Sequence, residues 1–371
     1  MAVLNDEQVM LRDMARDWAR DESPVSAFRK VRDSKPAKGF DIEAWSAQAE
    51  MGWAGIIVPE AYGGSDFGFL SLGLVTEELG KSLAATPLTA TSLAASALVL
   101  GGSDAQKTQW LRHIADGSVV GTLAVDEGPR HNPSLIETRA EPAADGWTLN
   151  GTKVFVPEGD GADLFVVAAQ TADGIELFLV PADSQGVTRS HRAMTDARGH
   201  AQISFDNVQL SKDAKLSGEI SGVALLDALL DRARILVAAE MLGMAIGAFE
   251  MTLDYMKVRV QFGQTIGSFQ ALQHRAAELF TQIELTRSAV EAGLEAVDAR
   301  RVDLDQMASL AKAVASDTIH LVSRETIQLH GGIGMTDEHD AGFFIKRARV
   351  LENSWGNAAY HRERFARLNG Y

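Results

Sequence analysis

The chain is 371 residues long and carries 50 Asp+Glu against 35 Lys+Arg, a formal net charge of −15, with 46% hydrophobic residues and no cysteine. That composition predicts a globular protein with enough apolar residues for more than one core, and the length predicts two or three domains. Disulfides, thiolate zinc sites, cysteine-ligated clusters and cysteine nucleophiles are excluded, and the acid excess argues against nucleic acid, whose backbone needs a basic face.

In chain order, residues 1–7 show no basic patch followed by an apolar run, so no secretion signal is expected. Asn5 and Gln8 have the form of a capping box, after which Val9, Met10, Met14 and Trp18 fall on one helical face. Pro59-Glu60-Ala61-Tyr62-Gly63-Gly64 is a break, and helices are predicted over 70–83 and 91–100, where alanines such as Ala84, Ala94 and Ala97 allow close approach. Residues 1–118 therefore read as a helical domain.

The texture changes near Gly117. Short strands are predicted over 119–125, 147–149, 152–156, 164–168, 175–180 and 203–210, with Asn150-Gly151 as a hairpin signal. Residues 119–218 thus read as a small β-barrel or sandwich. Helical periodicity returns from Ser221, over 222–260, 269–299, 305–330 and 340–368, so residues 219–371 read as a four-helix bundle. Helices, then strands, then helices make the fold class α+β. The most apolar stretch, 225–249, is interrupted by Asp227, Asp231, Arg232, Arg234 and Glu240, so no membrane span is expected and the cytoplasm is the default address.

Two segments offer chemistry. Arg259-Val260-Gln261-Phe262-Gly263-Gln264-Thr265-Ile266-Gly267-Ser268-Phe269-Gln270 lies between two long helices and supplies a cation, two amides, an aromatic ring and the free N–H groups of the next helix, of which the cation and the helix N-terminus suit phosphate or pyrophosphate. An ordinary interhelical loop with a solvated arginine is the plain alternative. Gln328-Leu329-His330-Gly331-Gly332-Ile333-Gly334-Met335-Thr336 ends a helix with three glycines in four positions that let a ligand or another backbone approach closely. A simple helix terminator, with His330 as a hydrogen-bonded structural residue, is the alternative there. His320, His330, His339 and His361 show no metal-ligand spacing.

These two segments, in this order, resemble the C-terminal signature of the flavin-dependent acyl-CoA dehydrogenases, and the likeness extends along the whole chain. Pro59-Glu60-Ala61-Tyr62-Gly63-Gly64, Glu77-Glu78-Leu79-Gly80, Gln106-Lys107 with Leu111, and Asn150-Gly151-Thr152-Lys153 resemble the family's P-E-x-Y-G-G, E-E-L-G, Q-K-x-x-x-L and N-G-x-K segments. The resemblance implies that family's fold: an N-terminal helical domain, a middle β-domain and a C-terminal four-helix bundle. It also implies the α,β-dehydrogenation of an acyl-CoA thioester. A carboxylate takes the α-proton while hydride leaves for flavin N5, helped by polarisation of the thioester carbonyl and a base of matched pKa. In the family the ADP half of FAD rests on a neighbouring subunit. By that likeness Arg259, Gln261, Phe262, Gln270, Gln328, Leu329, Gly331 and Gly332 are the FAD contacts. An electron-transfer flavoprotein is the implied electron acceptor.

The flavin and substrate surface departs from the pattern. Where the family has T-E-P-x-x-G-S-D, this chain reads Asp126-Glu127-Gly128-Pro129-Arg130-His131-Asn132-Pro133, and where it has W-x-T/S, this chain reads Phe155-Val156-Pro157. The two positions at which members carry the catalytic carboxylate are Trp355 and Ala233, and neither side chain takes a proton. Glu240 shares a helix stripe with Ala233 but lies roughly 10 Å along the axis, and is expected to be a structural acid paired with an arginine or a backbone group. Glu352 is expected to be solvated or ion-paired.

Two functions follow from the resemblance. In one, the chain is a subunit without the usual base that lends ADP-side contacts to FAD held by a paralogous catalytic partner, in a dimer of dimers. The other is a self-sufficient homo-oligomer with a relocated base. The ending Gly356-Asn357-Ala358-Ala359-Tyr360-His361-Arg362 resembles the branches with paired subunits that act on dicarboxylyl or steroid-side-chain thioesters, which favours the first.

Overall fold

The computed structural model describes residues 3–371. The N-terminal helices are α1 (Asp6–Asp21), α2 (Val25–Ser34), α3 (Ile42–Glu50), α4 (Gly68–Lys81), α5 (Leu88–Gly101) and α6 (Asp104–Ala115). The strands that follow are β1 (Gly121–Ala124), β2 (Arg139–Ala143), β3 (Gly146–Val156), β4 (Leu164–Thr171), β5 (Gly174–Pro181), β6 (Val187–His191) and β7 (Ala201–Ser211). After them come α7 (Gly222–Val258), the two-stranded hairpin β8 (Val260–Gln261) and β9 (Gln264–Thr265), α8 (Gln270–Asp298), α9 (Leu304–His330), α10 (Ala341–Asn353) and α11 (Ala358–Leu368). Contacts gather the chain into two compact units. One takes the chain up to Arg29, Phe69–Ala84 and Arg234–Tyr371; the other takes Lys30–Gly68 and Ala85–Ala233.

In the first unit α9 packs against α8, α10 and α11. Helix α1 opens on the expected capping box: the Asn5 side chain accepts the Gln8 N–H at 2.8 Å, and the Gln8 side chain accepts the Asn5 N–H at 3.1 Å. Its buried face is Leu11, Ala15 and Ala19, whereas Met10 is 69% exposed, so the face expected from the larger side chains is the wrong one. Small residues at 15 and 19 let α1 sit close to its neighbours, and the bulkier ones are left outside. Helices α4 and α7 cross backbone to backbone. A Cβ at Gly243 would fall 1.9 Å from the Glu77 carbonyl oxygen, and one at Gly247 would fall 2.3 Å from that of Lys81. The expected last helix, 340–368, is two helices, α10 and α11, because Trp355 at φ 57° and Gly356 at φ 101° turn the chain between them. One window of α7 is long and apolar enough to cross a membrane by length and composition, which corrects the expectation that none was. In the fold 72% of that window is buried within protein, as befits a core helix.

In the second unit the strands form one mixed seven-stranded sheet in the order β1-β4-β2-β3-β7-β6, with β5 paired to β4. Its core gathers Leu149, Phe165, Phe178, Ile203 and Val208, all fully buried. Asn150-Gly151 is not a hairpin: β3 runs straight through it, with a register shift against β7 between Leu149 and Gly151. The Asn150 side chain accepts the Asn207 N–H at 2.8 Å and fixes this irregularity. The hairpin turns lie instead at Ala144-Asp145 and Ala172-Asp173, where Ala143 pairs with Gly146 and Thr171 with Gly174. Strands β2 and β6 escaped the sequence reading because they are largely exposed and lack an apolar alternation.

Candidate functional site

The last turn of α7 sets the first wall of the site. The Arg259 N–H bonds the Tyr255 carbonyl at 2.9 Å and its carbonyl accepts the Ile266 N–H at 2.8 Å, so the intervening hairpin is closed at its base. Val260 pairs with Thr265 and Gln261 with Gln264, and Phe262 (φ 54°) and Gly263 (φ 81°) make the tip. Both tip residues have the left-handed backbone of a tight two-residue turn. Phe262 is 92% exposed and stands edge-on to Phe269, ring centres 6.2 Å apart. Helix α8 then begins without a side-chain cap.

The second wall is the end of α9. The His330 Nδ1 lies 2.7 Å from the Thr326 carbonyl, the hydrogen-bonded structural role expected of it, and its ring packs against Tyr255 with centres 4.5 Å apart and planes tilted by 31°. Gly331 (φ 63°, ψ −139°) stops the helix in a conformation only glycine adopts readily, and its N–H bonds the Gln328 and Ile327 carbonyls. Gly332 has no positive φ, and a Cβ there would meet nothing within 4 Å among the described residues, so neither backbone nor packing among them requires a glycine at that position.

The two segments, far apart in sequence, meet around one cavity of about 450 Å³. Arg259, Gln261, Phe262, Gln328, Leu329, Gly331 and Gly332 all line it. Gln270 does not, although its neighbours Phe269 and Ala271 do. Leu329, with Met256 and Ile266, forms a small apolar cluster of its own. Among the described residues the Arg259 guanidinium has no ion pair or hydrogen bond, and a charge so placed is available to an anion. The sequence reading missed Tyr255 and Arg275 on the same wall and gave Phe269, within its segment, no role. Helical spacing carried the signal, since Tyr255 lies one turn before Arg259 and Arg275 one turn after Ala271.

The positions where a base was sought hold none. Ala233 is fully buried, and Trp355 is 5% exposed. The Trp355 carbonyl lies 2.9 Å from His361 Nε2 and accepts from Arg234 Nε at 3.4 Å, while Lys312 Nζ donates to the Glu352 and Gly356 carbonyls at 3.2 and 3.0 Å. Burial pushes the Lys312 amine down to about 7. Burial, then the charges of Arg234 and Lys312, holds His361 down to about 2. Glu240 is bonded through one oxygen to Arg347 Nε and Nη2 at 2.9 and 2.8 Å, the arginine pairing expected of it. Glu352 is ion-paired to Arg349 at 2.8 Å. Glu127 is tied to the buried Lys153 at 2.6 Å and accepts the Thr138 N–H at 3.0 Å, so it anchors the loop after β1.

Comparison with known proteins agrees along the whole length. The family models described as the N-terminal, middle and C-terminal domains of acyl-CoA dehydrogenase match residues 5–118, 124–212 and 221–368. The probable acyl-CoA dehydrogenase YngJ of Bacillus subtilis is 31% identical over 98% of both chains. Among solved structures, a variant of the Tcur3481-Tcur3483 steroid ACAD is 32% identical with a TM-score of 0.90, covering 98% of both chains. The ChsE4-ChsE5 complex from Mycobacterium tuberculosis is 26% identical with a TM-score of 0.92, covering 100% of both. On these matches and on its α+β fold, the chain belongs to the acyl-CoA dehydrogenase family.

Proposed function

We propose that this protein is a subunit of an FAD-dependent acyl-CoA dehydrogenase assembly that lacks the usual catalytic glutamate and supplies the ADP-side contacts of FAD to a paralogous catalytic partner. FAD is the cofactor of the family, and when bound it takes the hydride released from the β-carbon of an acyl-CoA thioester. The observation that carries the reading is the contrast between the two candidate sites. The cavity at Arg259 and Gly332 keeps a free cation and open backbone, whereas the turn at Trp355 is filled and pinned.

Within the cavity, Arg259 would face the pyrophosphate and the backbone at Gly331 and Gly332 would lie against the nucleotide. Gln261 and Gln328 would supply amide contacts, Phe262 and Leu329 apolar ones, and Gln270 would act from the start of α8. The expected α-proton acceptor belongs to the partner. A relocated base within this chain is disfavoured because Glu240 and Glu352 are both held by arginines. Two of the similar structures carry paired names, Tcur3481-Tcur3483 and ChsE4-ChsE5, the first a steroid ACAD. The paired names support a hetero-oligomer and the first supports a bulky acyl-CoA, while an electron-transfer flavoprotein is the acceptor that the family resemblance implies.

The test is to purify the chain alone and record its visible spectrum, then add acyl-CoA under anaerobic conditions. The proposal expects a colourless chain that acquires flavin only when co-expressed with a catalytic paralogue. Bound flavin that bleaches in the lone chain would establish the self-sufficient enzyme instead.

A further inference from the structure

Arg275 on α8 also lines the cavity and has no assigned part in it. Its guanidinium donates from Nη1 to the Glu325 carboxylate on α9 at 3.0 Å, and this is its single bond among the described residues. The side chain remains 47% exposed, so a carboxylate fixes one corner of the fork while the other N–H groups stay available. The cavity therefore offers two guanidiniums from different elements: Arg259 at the end of α7, without a partner among the described residues, and Arg275, oriented by one. Aromatic rings lie on the same lining, with Phe262 edge-on to Phe269 and Tyr255 packed against His330. Paired cations beside stackable rings suit a ligand with a flat base and more than one phosphoryl group. In a chain of net charge −15 such an anion needs local cations to offset the long-range repulsion.

We propose that Arg275 is a second phosphate-binding residue of this cavity, so that the cavity holds a nucleoside diphosphate between two guanidiniums and discriminates it from the monophosphate. The inference rests on the reading of the cavity as a nucleotide site and names a further residue in it. A single phosphoryl group engages one guanidinium fully, whereas a diphosphate engages both. Glu325 is a positioning residue that keeps the Arg275 fork turned toward the cavity.

The experiment is calorimetric titration of the flavin-free full chain with ADP and with AMP. The unsubstituted chain is expected to bind ADP about tenfold more tightly than AMP, one good charge-assisted contact. Arg275→Met keeps the apolar stem and is expected to cut that preference to about twofold or less with AMP binding little changed. Arg259→Ala is expected to weaken both ligands. Full ADP preference in Arg275→Met, with ADP binding lost in Arg259→Ala, would overturn this inference and leave the underlying reading standing. Failure of the unsubstituted chain to bind ADP at all would overturn this inference, whereas the underlying reading falls on its own test, bleachable flavin in the lone chain. If Arg275→Met and Glu325→Gln lower the melting temperature alike with unchanged affinities, the pair is a clasp between α8 and α9 and the inference is overturned.

Discussion

Lys312 shows how a single side chain can close a site. Its Nζ lies within hydrogen-bond reach of the Ser316 hydroxyl and of the Glu352 and Gly356 carbonyls, around the turn that carries Trp355. The Nζ donates to all three oxygens, a set that the three N–H groups of the ammonium fill, whereas the neutral amine keeps two donors and a lone pair. Burial favours that neutral form and brings the amine down to about 7 from its ordinary 10.5. The unfolded chain therefore binds one more proton than the folded one between these values, so the contribution of Lys312 to stability rises with pH across that window. Chemical denaturation between pH 7 and 10 should show this rise, and Lys312→Met should remove that part of the slope. Lys312→Met also leaves two carbonyls without a donor and should cost about 2 kcal/mol near pH 8. An unaltered slope would show that the amine is charged in the fold.

At the scale of elements, the segments that carried the family resemblance prove to be joints of the scaffold. Within Glu77-Glu78-Leu79-Gly80, Glu77 bonds Arg287 on α8 at 2.7 Å, Glu78 bonds Arg16 on α1 at 3.1 Å, Leu79 is buried, and Gly80 lies against the Glu240 carbonyl. Gln106 completes a capping box with Ser103 and donates its amide to the Asp213 and Lys215 carbonyls. Periodicity and caps made the long helices legible, because a 3.6-residue apolar pattern survives in the sequence whatever surrounds it. The straight passage of β3 through Asn150-Gly151 was not legible, since a bulge and a hairpin draw on the same residues and only the partner strand decides between them. The split between α10 and α11 was hidden for a related reason: Trp355 adopts a positive φ under tertiary constraint, without a local sequence signal. The α4–α7 crossing supplies a test at this scale. Gly243→Ala places a methyl group 1.9 Å from the Glu77 carbonyl oxygen and should destabilise the protein by about 2 kcal/mol or more in denaturant unfolding. A loss below about 0.5 kcal/mol would mean that the two helices separate easily.

For the molecule as a whole, the two halves of the candidate chemistry differ in how they were found. The cofactor-side residues were named from a resemblance, and the fold brings seven of the eight to one cavity wall while leaving Gln270 beside it. The absence of a carboxylate at 233 and 355 was plain in the sequence, but what replaced it was not. Three basic side chains gathered on backbone carbonyls come from α7, α9 and α11, and no local pattern announces that convergence. The loop after β1 likewise retains Glu127 for a structural purpose: burial pushes its carboxyl up, but the Lys153 charge and the hydrogen bonds from Lys153, Thr138 and Glu137 together hold it below the ordinary range. The proposed function rests on this contrast between a cavity that gathers the residues named for the nucleotide and two positions, 233 and 355, without a carboxylate. Flavin retention in the functional assembly tests that account most directly. Arg259→Ala, compared with the unsubstituted chain after identical purification and dialysis, should release FAD about tenfold more readily. Flavin occupancy and release that do not change would contradict it.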